Sequence, residues 1–147
     1  MLLDRILSDS TGQAAELSAR FAEQRQRLLA ENIANIDTPD YQSRQLDPAA
    51  FETSLREALA AADERAGPAS RLELRGNAQV STHSDGSLAV NPEIEPAPNA
   101  LFHDGTNARL ERLTADAAQN QMQYELATSF LRQRLASILQ AIRGRPS

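Results

Sequence analysis

Near the start of the chain, Ala15, Ala19, Ala22, Gln26, Leu29, Ile33 and Ile36 follow one another at alternating intervals of four and three. That spacing is a heptad seam and predicts a helix over about residues 11–35. A second stripe of Ala14, Leu17, Phe21 and Leu28 lies beside it, making the apolar surface wider than a two-stranded contact needs. More than one neighbour is implied. The same alternation governs the end of the chain, through Leu110, Leu113, Ala117, Asn120, Tyr124, Ala127, Leu131, Arg134, Ile138 and Ala141, widened late by Leu135, Leu139 and Ile142. Thr106 or Asn107 supplies a candidate cap, and Arg143, Gly144 and Pro146 supply stop signals, so a helix over 107–143 is predicted. It would be roughly 55 Å long at 1.5 Å per residue, against a radius of gyration of about 15 Å for a compact chain of this size. Its natural partners are other long helices.

Between these flanks lie six of the seven prolines. Asp47-Pro48 reads as a cap followed by proline at the first helical position, and Phe51, Leu55, Leu59 and Ala62 continue a short amphipathic helix over about 48–65, ending before Gly67-Pro68. Residues 71–75, Arg-Leu-Glu-Leu-Arg, alternate like a brief strand before Gly76-Asn77, and Leu88-Ala89-Val90 reads as another. The proline-rich stretch 91–99 reads as extended linker. The predicted fold is therefore mainly α: long N- and C-terminal helices forming an antiparallel coiled-coil pair, with a short helix and an irregular or short-strand middle. The terminal-helix domain comprises 1–36 and 104–147, and the middle segment 37–103.

Composition narrows the chemistry. The 147 residues include no cysteine, which excludes disulfides, thiolate metal sites and thiol nucleophiles. All fifteen basic residues are arginine, so there is no lysine for a Schiff base or a Walker-type phosphate loop. Residues 1–35 hold four arginines against five acids, 36–105 five against twelve, and 106–147 six against three. An acidic middle between weakly charged ends is not a nucleic-acid footprint. Asp4 interrupts the first apolar run, so no cleavable signal peptide is expected, and no segment approaches the ~20 apolar residues of a membrane span.

Ser81-Thr82-His83-Ser84-Asp85 gathers a hydroxyl, an imidazole and a carboxylate, but in a polar turn ending at Gly86, where the solvated-loop reading outweighs a triad. His103-Asp104 offers two metal ligands, and its plain reading is a polar lead-in to the last helix. Asp63-Glu64 and Glu93/Glu95 read as solvated acids. Neither a cofactor nor a metal is expected. Gln26, Asn120 and Arg134 interrupt the seams; either a buried amide there selects register and partner number, or each lies at a loosely packed edge and selects nothing.

Residues 24–41, ending Glu31-Asn32-Ile33-Ala34-Asn35-Ile36-Asp37-Thr38-Pro39-Asp40-Tyr41, resemble the N-terminal signature of bacterial flagellar rod and hook proteins, Asn-x-Ala-Asn-x-x-Thr-Pro-Gly-Tyr. Within them, Asp104-Gly105-Thr106-Asn107-Ala108-Arg109-Leu110-Glu111 and Asn120-Gln121-Met122-Gln123-Tyr124 resemble the Asp-Gly-Asn-x-Val-Asp-Leu-Glu and Asn-Gln…Tyr segments of the basal-body rod protein B (FlgB) family. Two departures stand out: Asp40 replaces the usual glycine, and Ala108-Arg109 replaces the usual Val-Asp.

The resemblance implies a non-enzymatic structural subunit of the proximal rod in the flagellar basal body. It would be exported by the flagellar type III apparatus to a periplasmic rod, and would transmit torque from motor to hook. Its implied partners are copies of itself, other rod subunits, a FliE-like adaptor and the export gate. The residues expected at subunit interfaces are Leu17, Phe21, Leu28, Leu29 and Ile33 on the first helix and Leu113, Tyr124, Leu131, Leu135, Ile138 and Ile142 on the last. Asn32, Ala34, Asn35, Thr38, Pro39 and Tyr41 are expected to form a turn that aims the chain away from the helical layer. The alternative is a soluble helical adaptor or chaperone dimerising through the same heptad seams.

Overall fold

The protein is described here by a computed structural model covering residues 9–64, 71–75, 78–96 and 105–144, with backbone alone for 105–108. It is mainly helical, with a few short strands. Helix α1 spans Ser10–Ala34, α2 Pro48–Glu64 and α3 Gly105–Arg143, close to the three predicted ranges. Asp9 caps α1, its carboxylate accepting from the Thr11 amide at 3.2 Å. At α2 the expected Asp47-Pro48 start is present: Asp47 Oδ1 accepts from the Ala49 amide at 2.8 Å. Helix α3 opens two residues earlier than predicted, which puts Thr106 and Asn107 inside its first turn instead of at its cap. It ends at Gly144, whose φ of 63° closes the helix in the left-handed region that glycine enters freely. Gly67-Pro68, Gly76-Asn77, His103-Asp104 and Pro146 lie outside the described residues.

The core sits on one flank of α1. Leu17, Phe21 and Leu28 pack with Leu46, Phe51, Ala58, Leu72, Leu74 and Val80, all buried. Phe21 and Phe51 stack with ring centroids 4.1 Å apart and planes 3° from parallel, joining α1 to α2. The middle segment is thus a cover folded over the second stripe of α1. That stripe needs a partner, as its width suggested, and the chain itself provides one.

Two small antiparallel ladders organise this cover. Strand β1 (Arg44–Gln45) pairs with β4 (Glu93–Ile94), Arg44 opposite Ile94; β2 (Val80–Thr82) and β3 (Leu88–Val90) form a hairpin, Ser81 opposite Ala89. Leu88–Val90 is a strand as predicted. Residues 71–75 are not: Leu72 and Leu74 alternate inward, but their amides donate to the side chains of Gln13 (2.9 Å) and Thr82 (3.2 Å) instead of to a neighbouring strand. Nor is 91–96 a free linker, since β4 is laddered to β1 and the Glu95 amide donates to the Ser43 carbonyl at 2.8 Å.

Helices α1 and α3 share the most extensive contact between elements. At 39 residues against 25, α3 is about 20 Å longer than α1 at 1.5 Å per residue.

Candidate functional site

No described cluster of three or more His, Asp or Glu side chains is placed to hold a metal ion. Among the described residues, no helix is long and apolar enough to cross a membrane. His83, Ser84 and Asp85 are exposed at the β2–β3 tip, and Asp85 accepts from the Ser87 hydroxyl (2.6 Å) and amide (2.8 Å). Those two bonds hold its carboxyl below the usual carboxylate range, and commit it to the turn instead of to His83. The residues that the sequence singles out for function lie instead on helical faces and in the turn after α1.

The turn is built from the signature residues. Asn35 closes α1: its backbone amide and its Nδ2 both donate to the Glu31 carbonyl, at 3.1 and 2.8 Å. Its carbonyl accepts from the Thr38 amide at 3.0 Å, and its Oδ1 from the Thr38 hydroxyl at 3.3 Å. The Tyr41 amide then donates to the Thr38 carbonyl at 3.3 Å, making Thr38-Pro39-Asp40-Tyr41 a β-turn. Proline stands where φ near −65° is wanted, and Asp40 stands where φ must be positive, at 59°. Asn32, 3% exposed, joins the helix to the strand that follows. Its Nδ2 donates to the Arg44 carbonyl (2.8 Å), while its Oδ1 accepts from the Arg44 amide (3.2 Å) and the Tyr41 hydroxyl (3.1 Å). One side-chain amide thus meets Arg44 as a neighbouring strand would. Ala34 is the exposed last residue of α1.

Polar residues of the two seams meet one another. Asn120 is fully buried and donates to the Ala22 carbonyl and to Gln26 Oε1, each at 2.8 Å, while its own Oδ1 has no partner among the described residues. Arg134 is ion-paired with Asp9 and passes against Gly12, where an added Cβ would come within 2.9 Å of its Nε. This guanidinium is the main reason the Asp9 carboxyl lies below its ordinary range, helped by the Thr11 amide and opposed by partial burial. Arg25, 9% exposed, lies 3.9 Å from Asp116. Burial lowers its pKa, and Asp116 and Asp47 oppose that shift.

Glu95 is not the solvated acid expected of a linker. Its side chain is 15% exposed because β4 sets it against α3, between Arg109 at 3.8 Å and Arg112. Arg109, standing where relatives of the signature usually carry an acid, also donates to the Ser43 hydroxyl. These two arginines tie the middle segment to α3, a role invisible in a sequence where their partner lies among prolines.

The apolar residues expected at subunit interfaces divide into two groups. Leu17, Phe21, Leu28, Leu29 and Leu113 are buried inside the chain, and Ile33 is half-buried. The cover folded over α1 explains the position of Leu17, Phe21 and Leu28, which present no face to a neighbour here. On α3, Leu131 and Ile138 are half-buried, whereas Tyr124, Leu135 (56%) and Ile142 (62%) are exposed. Leu139, which widens the stripe in the sequence, is exposed on the same helix, as are Met122, Leu126 and Phe130, which following the seam missed.

No known family model matches the chain. It is 29% identical to the flagellar basal body rod protein FlgB of Salmonella typhimurium over 143 residues, covering 97% of this chain and 99% of that protein. It is 26% identical to FlgB of Escherichia coli K12 over 147 residues, with the same coverage. With FlgB of Borrelia hermsii it shares 31% identity over 106 residues, 71% of this chain and 75% of that protein. With this similarity, nearly end to end for the first two relatives and over about three quarters of the third, and with its signature residues folded into one bonded turn, the chain belongs to the FlgB family of flagellar basal body rod proteins.

Proposed function

We propose that this chain is a structural subunit of the flagellar basal-body rod, working by packing and not by catalysis. The observation that carries the reading, beyond family membership, is an apolar face of α3 that the other described residues do not cover: Leu135, Leu139 and Ile142 are all at least half exposed. Such a patch on a water-facing helix marks an interaction surface. Within the subunit, α1 and α3 act as an antiparallel coiled-coil pair. In support, the contacts of α1 at Asp9, Ala22 and Arg25 fall on α3 at Arg134, Asn120 and Asp116, in descending order.

Neighbouring copies and other rod subunits then meet the exposed faces of α3 around Tyr124, Leu131, Leu135, Ile138 and Ile142. The turn from Asn32 to Tyr41 directs the middle segment out of that layer. Different faces on neighbouring copies give an open helical arrangement, suited to a shaft that carries torque from motor to hook. By family resemblance the site of action is the periplasmic rod, reached through the flagellar type III apparatus, with a FliE-like adaptor and the export gate at its base. A soluble adaptor dimerising through the heptad seams has little seam left to use, because Leu29, Leu113 and Asn120 are already buried within one chain. The test is deletion of the coding sequence followed by imaging of basal bodies: rods should be missing, and intact rods with normal swimming would overturn the reading.

A further inference from the structure

An apolar groove runs between the three helices. Its wall includes Ser18 and the buried Phe21 of α1, the buried Phe51 and half-buried Leu55 of α2, and Leu126 and Phe130 of α3. Glu52 is the one charged residue on that wall among the described residues, so the occupant it suits is apolar. Leu126 and Phe130 are left 74% and 40% exposed by the described residues.

The chain enters α1 at one end of this groove. Thr11, two residues after the Asp9 cap, is on the α1 wall, and Phe130 on the α3 wall stands one turn before Arg134, the ion-pair partner of Asp9. Asp9 has an extended backbone, with φ −61° and ψ 125°, and its carboxylate is held by the Thr11 amide and by Arg134. The axis of α1 therefore stops at the mouth of the groove. From Thr11 to Ala22 the groove follows α1 for about 16 Å at 1.5 Å per residue. The eight residues before Asp9 span up to about 27 Å, enough to turn and run back along it. Five of those eight, Met1, Leu2, Leu3, Ile6 and Leu7, are apolar. Leu3, Ile6 and Leu7 stand at i, i+3 and i+4, the spacing of anchors in a groove, with Asp4 and Arg5 between them.

We infer that residues 1–8 double back at Asp9 and lay Leu3, Ile6 and Leu7 in this groove, covering the apolar surface between α1, α2 and α3. The contact is made within one chain, so it goes beyond the rod reading and does not depend on it. It leaves the part of α3 beyond Arg134 to the assembly contacts proposed above.

The absence of native cysteine makes the test direct. Three full-length double variants are oxidised at low protein concentration: Leu3→Cys with Ser18→Cys in the groove, with Arg20→Cys on the opposite face of α1, and with Leu139→Cys on the far part of α3. Ser18 and Arg20 lie about 13 and 16 Å from Asp9 along α1, so reach alone barely separates them. The disulfide within one chain should form several-fold faster with Ser18→Cys than with either other partner, at a rate unchanged by dilution. Equal rates for Ser18→Cys and Arg20→Cys, or faster closure with Leu139→Cys, overturn the inference. Disulfides that form only between chains and slow on dilution give the groove to a second copy and overturn it too. As a second reading, the lone thiol of Ser18→Cys should react with a thiol reagent several-fold faster once Leu3, Ile6 and Leu7 are each replaced by serine; an unchanged rate contradicts the contact.

Discussion

Asn120 of α3 donates one amide proton to Gln26 Oε1 of α1 and the other to the Ala22 carbonyl, both at 2.8 Å, in a site with no solvent exposure. Two acceptors therefore face one doubly donating group across the helix pair. Asn120→Asp keeps the shape but removes both donors and sets a carboxylate against two oxygens. It should lower unfolding stability by about 3 kcal/mol or more near neutral pH in denaturant titrations, with partial recovery in acid as the carboxyl protonates.

The Asp40 backbone sits at φ 59°, where the second central residue of the Thr38–Tyr41 turn must be and where relatives of the signature carry glycine. Side chains are disfavoured there by about 1–2 kcal/mol, aspartate less than most. Asp40→Gly should therefore stabilise the protein by roughly 0.5 kcal/mol, after the extra chain entropy of glycine, and Asp40→Val should destabilise it by 1 kcal/mol or more. Thermal unfolding of the three proteins checks the order.

Asn32 makes two bonds to the Arg44 backbone and one to the Tyr41 hydroxyl. Asn32→Ala leaves the Arg44 amide and carbonyl without their side-chain partner and should cost about 2 kcal/mol, whereas Tyr41→Phe should cost about 1 kcal/mol. Amide hydrogen exchange should show Arg44 losing protection first in Asn32→Ala.

How much of this was legible in the sequence follows from how local each cause is. The three helices were readable because a three-four apolar spacing and an Asp-Pro start are written within a few neighbouring residues. The Asn-x-x-Asn…Thr-Pro signature was readable as a turn for the same reason, although the Asn32–Arg44 bonds were not. What failed needed contacts across the chain. Residues 71–75 alternate as a strand does, and Leu72 and Leu74 do point inward, but their amides are met by Gln13 and Thr82 side chains. Glu95 follows prolines and looks solvated until β4 brings it to Arg109 and Arg112 on α3. The stripe containing Leu17, Phe21 and Leu28 announces a partner without saying whose, and Leu46, Phe51 and Val80 of the same chain prove to be that partner.

Arg134 holds the Asp9 carboxyl below its ordinary range. A depressed carboxylate contributes stability that is fully present above the unfolded-state pKa, near 3.9, and is lost as pH falls through the lower folded value. The Asp9 side chain is 40% exposed, so solvent screening limits the contribution to under about 1 kcal/mol. Asp9→Asn keeps a capping side chain and removes the charge. Its stability should thus fall less steeply than that of the parent below about pH 4, as read by unfolding at stepped pH values.

The central claim is that the exposed end of α3 serves assembly and not the folding of the subunit. The combined substitution Leu135→Asp, Leu139→Asp and Ile142→Asp tests it most directly, by measuring both the unfolding of the purified protein and its incorporation into basal bodies. The account predicts unfolding within about 1 kcal/mol of the parent, because these side chains are at least half exposed, together with loss of the subunit from rods and loss of swimming. Normal incorporation of a stably folded triple variant would contradict it.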